Sequence, residues 1–289
     1  MVKMGPPPND VDKHLVLQIK RSEKTMKYRF GVLVLLMCCG VSAEEGFKPL
    51  FNGEDLSGWT SMRKTEDGAL DLFQVDPTEK AIHVYAGAKA GSKQPTDCLR
   101  TKKEYSNYVL KLEYKWLENR FAPRLEHDRD AGVLFHIYGD LNHVWPNSVE
   151  MQLGESNAKK LKERYVTGDL WVLGKGTQVM NERKGPFYTP GAPLVLVGKD
   201  LRFDKSFISR GNEKPHGEWN EITLTLRGGV EAIYELNGKE VNRIQAPTYL
   251  KDGKRVPLEK GYIGLQAEYA ALMYRNIRIK ELPQHAATQ

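Results

Sequence analysis

Cysteine is scarce in this chain: Cys38, Cys39 and Cys98 are the only three among 289 residues. A disulfide-stapled scaffold is thereby excluded, and the fold must rest on its own apolar core. A membrane-spanning run is lacking as well. The apolar stretch Gly31–Val41 falls short of the roughly 20 residues that a spanning helix needs. Strong charge of one sign is missing once the N-terminus is set aside. The net +6 arises mainly within residues 1–43, which hold seven Lys/Arg against three Asp/Glu, so the remainder carries only +2. Nucleic acid is therefore not an expected partner, because phosphate neutralisation demands clustered basic charge. No segment shows helical caps around a sustained 3.6-residue period, and no repeat or linker divides the chain.

What is present begins with an address. Met26 opens "MKYRFGVLVLLMCCGVSA", with Lys27 and Arg29 before an apolar run and Val41-Ser42-Ala43 at the end. This is the pattern of a secretory signal peptide over 26–43, with cleavage near Ala43 and residues 1–25 as an extension upstream of a start at Met26. Lipidation at Cys38 or Cys39 ranks lower, since neither follows a small residue of the usual kind. The expected product is an exported protein, periplasmic or extracellular, comprising residues 44–289 as one domain with no stable membrane span. Its lone Cys98 reads as a small buried hydrophobe.

The rest of the chain is written in strands and turns. In "NYVLKLEYKW", Tyr108, Leu110, Leu112, Tyr114 and Trp116 alternate with polar or smaller residues, the mark of a half-buried antiparallel strand. "AGVLFHIYG" is almost wholly apolar and suits a strand buried on both faces. Gly228-Gly229 and Asn237-Gly238 punctuate "EWNEITLTLRGGVEAIYELNGKEVNRI" as hairpin turns. Residues 155–164 read as a short helix, and about 176–215 as long Gly- and Pro-rich loops. Many short strands with regular turns imply an all-β sandwich or barrel.

Two strands place polar pairs opposite apolar faces. In "NSVEMQLGE", Val149, Met151 and Leu153 share one face, and Glu150 and Gln152 the other. Near the C-terminus, Gln266 and Glu268 lie opposite Ile263 and Leu265. If a curved sheet sets these strands side by side, the carboxylates and carboxamides converge into a site suited to sugar hydroxyls. The plainer alternative is a solvated sheet face. His136 shares a strand face with Leu134 and Tyr138 and reads either as a core histidine or as a base. Trp145, Trp171 and Tyr269 are candidate platforms for pyranose rings, whereas Trp59, Trp116 and Trp219 suit the core. Arg275 reads as a structural ion-pair partner or as a clamp near Glu268. A divalent metal is left open; its candidate ligands, His127, Asp128 and Asp130 in "EHDRDAG", suit a solvated turn equally well.

Seven short motifs in order carry a resemblance. They are "PLFNGEDLSGW", "AGVLFHI", "VEMQLGE", "TGDLWVLG", "GEWNEITL", "LNGKEVN" and "IGLQAEYAALMYRNIRIKEL". From about Gly46 to Leu282 the chain resembles the 3-keto-disaccharide hydrolase domain family. The resemblance implies a concanavalin-like jelly-roll β-sandwich of two antiparallel sheets, one concave. It further implies a carbohydrate partner, a glycoside oxidised at carbon 3. Such a substrate needs a base for the acidic proton on carbon 2 and a stabiliser for the enolate. Glu150 or His136 would be the base, and Glu268, Gln152 and Gln266 would orient hydroxyls. Where some relatives carry Gly-Asp-His, this chain has Gln266-Ala267-Glu268, so a histidine mechanism does not transfer to that point. A non-catalytic lectin-like module and a structural envelope domain are the rival readings.

Overall fold

A computed structural model describes residues 44–63, 71–155, 166–199, 202–208 and 211–283. The signal-peptide region, and the helix expected at 155–164 apart from Glu155, lie outside these residues. Among the described residues there are strands and no helices. The first are β1 (Lys48–Pro49), β2 (Trp59–Ser61), β3 (Phe73–Asp76), β4 (Ala81–Val84), β5 (Asp97–Thr101) and β6 (Asn107–Arg120). Next come β7 (Arg129–Tyr138), β8 (Asn147–Glu155), β9 (Leu170–Leu173), β10 (Gln178–Lys184), β11 (Phe187–Tyr188), β12 (Leu194–Val197) and β13 (Phe203–Ser206). The last are β14 (Asn220–Arg227), β15 (Glu231–Leu236), β16 (Lys239–Lys251), β17 (Lys254–Pro257), β18 (Tyr262–Ala267) and β19 (Ala270–Glu281).

They form two antiparallel sheets, a jelly-roll sandwich. The twelve-stranded sheet runs β11-β10-β16-β15-β14-β6-β19-β4-β3, with β1, β12 and β17 paired to β19, β10 and β16. The seven-stranded sheet runs β13-β9-β8-β7-β18-β5-β2. Neighbours such as β7 and β18 are far apart in sequence, as Greek-key connections require. The stretch expected as loops at 176–215 instead holds β10 to β13. Its Gly and Pro residues punctuate hairpins: β10 pairs with β11, β12 and β16.

Period-two alternation drives the packing. On β6, Tyr108, Leu110, Leu112, Tyr114 and Trp116 all point into the core, while Val109, Lys111, Glu113 and Lys115 are half-buried on the other face. Each such side chain contributes about 1.5–3 kcal/mol of burial. Phe135 of one sheet meets Tyr234 of the other edge-on, with ring centroids 5.8 Å apart. The Tyr274 hydroxyl on β19 crosses the core to donate to the backbone carbonyl of Gln266 on β18 at 3.0 Å. That bond ties the two sheets together beneath the polar residues considered next. Cys98 is a fully buried free thiol on β5, as a small hydrophobe would be.

Candidate active site

Strands β7 and β8 are buried on both faces. Val149, Met151 and Leu153 enter the core from β8, which turns Glu150 and Gln152 to the outer face of the seven-stranded sheet. Ala131, Val133 and Phe135 enter it from β7, which leaves Asp130, Gly132 and Leu134 outside. Ile263, Leu265 and Ala267 do the same on β18 and turn Gln266 outward. Register sets Gly132 against Gln152 and Leu134 against Glu150. Glu268, just past β18, bridges to Asp130. Polar side chains from three strands therefore gather around Gly132. A methyl group there would collide with Oε1 of Glu150 and Oε1 of Gln266, so only glycine lets both side chains fold over the strand.

A cleft of about 390 Å³ opens on this face. Asp130, Glu150, Gln152, Glu268 and Trp171 line it from the strands and their ends, and Arg124, His143 and Trp145 from loops. Leu173, Arg202 and Phe203 complete the wall.

Hydrogen bonds fix most of the acids. Arg124 Nη1 donates to Asp130 Oδ2 at 2.5 Å and to Glu268 Oε2 at 3.2 Å. Trp145 Nε1 donates to Glu268 Oε1 at 2.5 Å. Gln152 Nε2 donates to Asp130 Oδ1 at 2.8 Å and to the backbone carbonyls of Ala131 and Leu153 at 2.5 and 2.7 Å. Glu150 shares in none of these bonds. Burial, then the negative charges of Glu268 and Asp130, push its carboxyl well above the ordinary carboxylate range. Burial and Glu268 also raise Asp130, against the pull of Arg124. Arg202 Nη2 lies 2.7 Å from His143 Nε2 at the rim, and Lys205 Nζ sits 4.5 Å over the Trp171 ring. The cleft thus sets a carboxyl of raised proton affinity among guanidinium groups and two indoles. It can exchange a proton with a bound molecule and stabilise negative charge that develops there.

Of the residues singled out in the sequence, Glu150, Gln152, Glu268, Trp145 and Trp171 come together in the cleft. Gln266 does not line it; the residue is 1% exposed. Tyr269 does not line the cleft either; its ring lies 5.3 Å from the Arg124 guanidinium carbon and its N–H donates to the Tyr85 hydroxyl at 3.0 Å.

Other placements correct the expectation. His136 does not share the face of Glu150. The register slips between Phe135 and Tyr138, and His136 takes a φ of 52°. Such a bulge redirects the side chain. Its Nε2 meets the carbonyl of Gly228, in the other sheet's β14–β15 turn, at 3.2 Å. Burial there lowers its pKa to about 4, which suits a neutral packed ring. Arg275 belongs to the twelve-stranded sheet; it donates to Glu113 Oε2 at 2.7 Å and lies 3.8 Å over Trp219, away from Glu268. Trp219 is accordingly a half-buried surface ring rather than core. His127 and Asp128 are not drawn in with Asp130: His127 is exposed, and Asp130 turns to Arg124 and Gln152. Among the described residues no group of three or more His, Cys, Asp or Glu is placed to hold a metal ion.

Nothing in the sequence singles out Arg124, His143, Arg202 or Phe203, and Asp130 is expected there only as a metal ligand. The nearest signals are the "EHDRDAG" cluster and the aromatic "NHVW" before β8.

The family described as the 3-keto-alpha-glucoside-1,2-lyase-like domain matches residues 46–280. No curated protein matches the chain. Two solved structures from Parabacteroides distasonis ATCC 8503, each provisionally described as a glycosyl hydrolase, are similar to it. One is 17% identical with a TM-score of 0.49, over 83% of this chain and 95% of that one. The other is 20% identical with a TM-score of 0.47, over 82% and 99%. The carbohydrate-binding module CBM66 from Bacillus subtilis is 10% identical with a TM-score of 0.43, over 78% and 96%.

Proposed function

Because the chain belongs to the 3-keto-alpha-glucoside-1,2-lyase-like domain family, we propose that it cleaves glycosides oxidised at carbon 3, with Glu150 as the base. The observation that carries this reading is one buried carboxyl of raised proton affinity, facing a cleft that also holds arginine and tryptophan. A ketone at carbon 3 acidifies the proton on carbon 2. Ionised Glu150 takes that proton, and the electrons of the C–H bond pass to the ketone oxygen as an enolate. Their return forms the double bond between carbons 1 and 2 and expels the oxygen on carbon 1, which takes up a proton. Water added across that double bond makes the net change a hydrolysis. A carboxylate whose pKa lies above the usual range is a stronger base than an exposed one. Arg124 and Arg202 supply positive charge for the enolate. Trp145 and Trp171 offer apolar faces to the ring. The pattern at Met26–Ala43 adds export to the proposal.

The test is incubation with a 3-keto disaccharide, following the released sugar. Glu150→Gln keeps the shape of the buried side chain and buries no charge, so it should fold as the wild type does. It should lose about 10²–10⁴ of the rate, the usual share of a positioned base. A variant that retains near wild-type turnover removes Glu150 from the mechanism. Binding of the disaccharide by the wild type without any product would favour a carbohydrate-binding module instead.

A further inference from the structure

The resemblance makes Gln266 a hydroxyl-orienting residue, but its place in the fold assigns it other work. It is 1% exposed and absent from the cleft wall. Its carbonyl oxygen, Oε1, is buried with no hydrogen-bond partner. A buried amide oxygen left unpaired is costly, so something must donate to it. Oε1 of Glu150 and Oε1 of Gln266 both border the space that a side chain at position 132 would fill, 2.1 and 2.4 Å from where its Cβ would lie. With the amide turned this way, two oxygens around one small buried space repel each other unless one carries a proton. An amide oxygen cannot; a carboxylic acid can.

We infer that Gln266 is a positioning residue, whose amide oxygen accepts the proton of the Glu150 carboxyl and so holds the acid form in place between turnovers. The backbone of Gln266 is itself anchored by the hydroxyl of Tyr274 at 3.0 Å, so the acceptor sits on a fixed strand. The side chain of Glu150 is then held on one side by Gln266 and open to the cleft on the other. Before each turnover this proton passes to water in the cleft, which leaves the carboxylate; when the carboxylate has taken a proton from carbon 2, the same bond to Gln266 receives it. The inference rests on the reading of Glu150 as the base.

Other ionisable groups act on Glu150 or feel its charge and stay unchanged in the test: Asp130 on β7, Glu268 past β18, Cys98 on β5, Tyr234 on β15 and Tyr274 on β19. Gln266→Met keeps the volume and removes the acceptor. Loss of an acceptor for the acid form favours the ionised form, so the acid limb of the kcat/KM profile should move to lower pH by about one unit. A purely structural role would lower activity without moving the limb. Infrared difference spectroscopy gives a second readout. The carboxylic acid band absent from Glu150→Gln should titrate at lower pH in Gln266→Met than in the wild type. No shift, or a shift to higher pH, overturns the inference; the latter would mean that the amide nitrogen donates to a carboxylate. If Gln266→Met does not fold, Gln266→Glu sets two carboxyls around one proton and should move the limb upward, and an unmoved limb overturns the inference. Should the wild type cleave no 3-keto glycoside, the proposed function fails, while the infrared titration still decides where the Glu150 proton lies.

Discussion

A methyl group at position 132 would strike the oxygens of both Glu150 and Gln266. Gly132→Ala is therefore expected to destabilise the fold by about 1–3 kcal/mol, as overpacking does, and to lower turnover at least tenfold by displacing Glu150. Denaturant unfolding and the disaccharide assay check the two effects separately; an unchanged rate would show that the two oxygens need not sit over the strand. The alternation of "NSVEMQLGE" pointed to Glu150 and Gln152 because a regular strand forces side chains to opposite faces. The same rule misled at His136, since a bulge adds a residue and inverts the facing, and nothing in "AGVLFHI" marks it. The unpaired oxygen of Gln266 was equally hidden, because it depends on which strand lies beside β18.

Strands and loops differ in how much of them could be read. The strands around the core were legible because burial repeats every second residue. Arg124, His143 and Arg202 were not, because they reach the cleft from connections whose paths no periodicity encodes. Strand β12 shows a further limit of pattern reading. Leu194, Val195 and Leu196 fall in the stretch expected as loops, yet they form a strand, 44, 41 and 39% exposed, that among the described residues pairs with β10 alone. Apolar edges invite association with other chains. Val195→Lys should reduce concentration-dependent light scattering. It should leave stability within about 0.5 kcal/mol and turnover unchanged, being a surface change away from the cleft. Unaltered scattering would show that this edge does not drive association.

Across the whole molecule, buried carboxyls give stability a pH dependence of unusual sign. Burial raises the Glu213 pKa to about 7. Thr167 Oγ1 and Trp116 Nε1 donate to it at 3.1 and 3.2 Å, together with the Tyr114 hydroxyl. Glu150 and Asp130 are shifted in the same direction. A carboxyl with a folded pKa above its unfolded value binds more protons in the folded state between the two. Stability from Glu213 is thus full below the ordinary carboxylate value near 4.5 and declines as pH rises through about 7. Glu213→Gln, which keeps an acceptor oxygen, should gain in melting temperature relative to the wild type as pH climbs from 5 to 8. A constant difference across that range would show that Glu213 titrates normally. None of this could be foreseen from net charge, because it depends on which acids the sandwich encloses.

The acids that do the proposed chemistry grow from β7, β8 and the end of β18, inside the sheet, whereas Arg124, His143 and Trp145 are carried by the turns above it. The molecule therefore separates a permanent workbench from exchangeable tooling. Lengthening or replacing the turns can alter which sugar is gripped while the proton-handling floor keeps its spacing, so new specificities are open to this scaffold without rebuilding its interior.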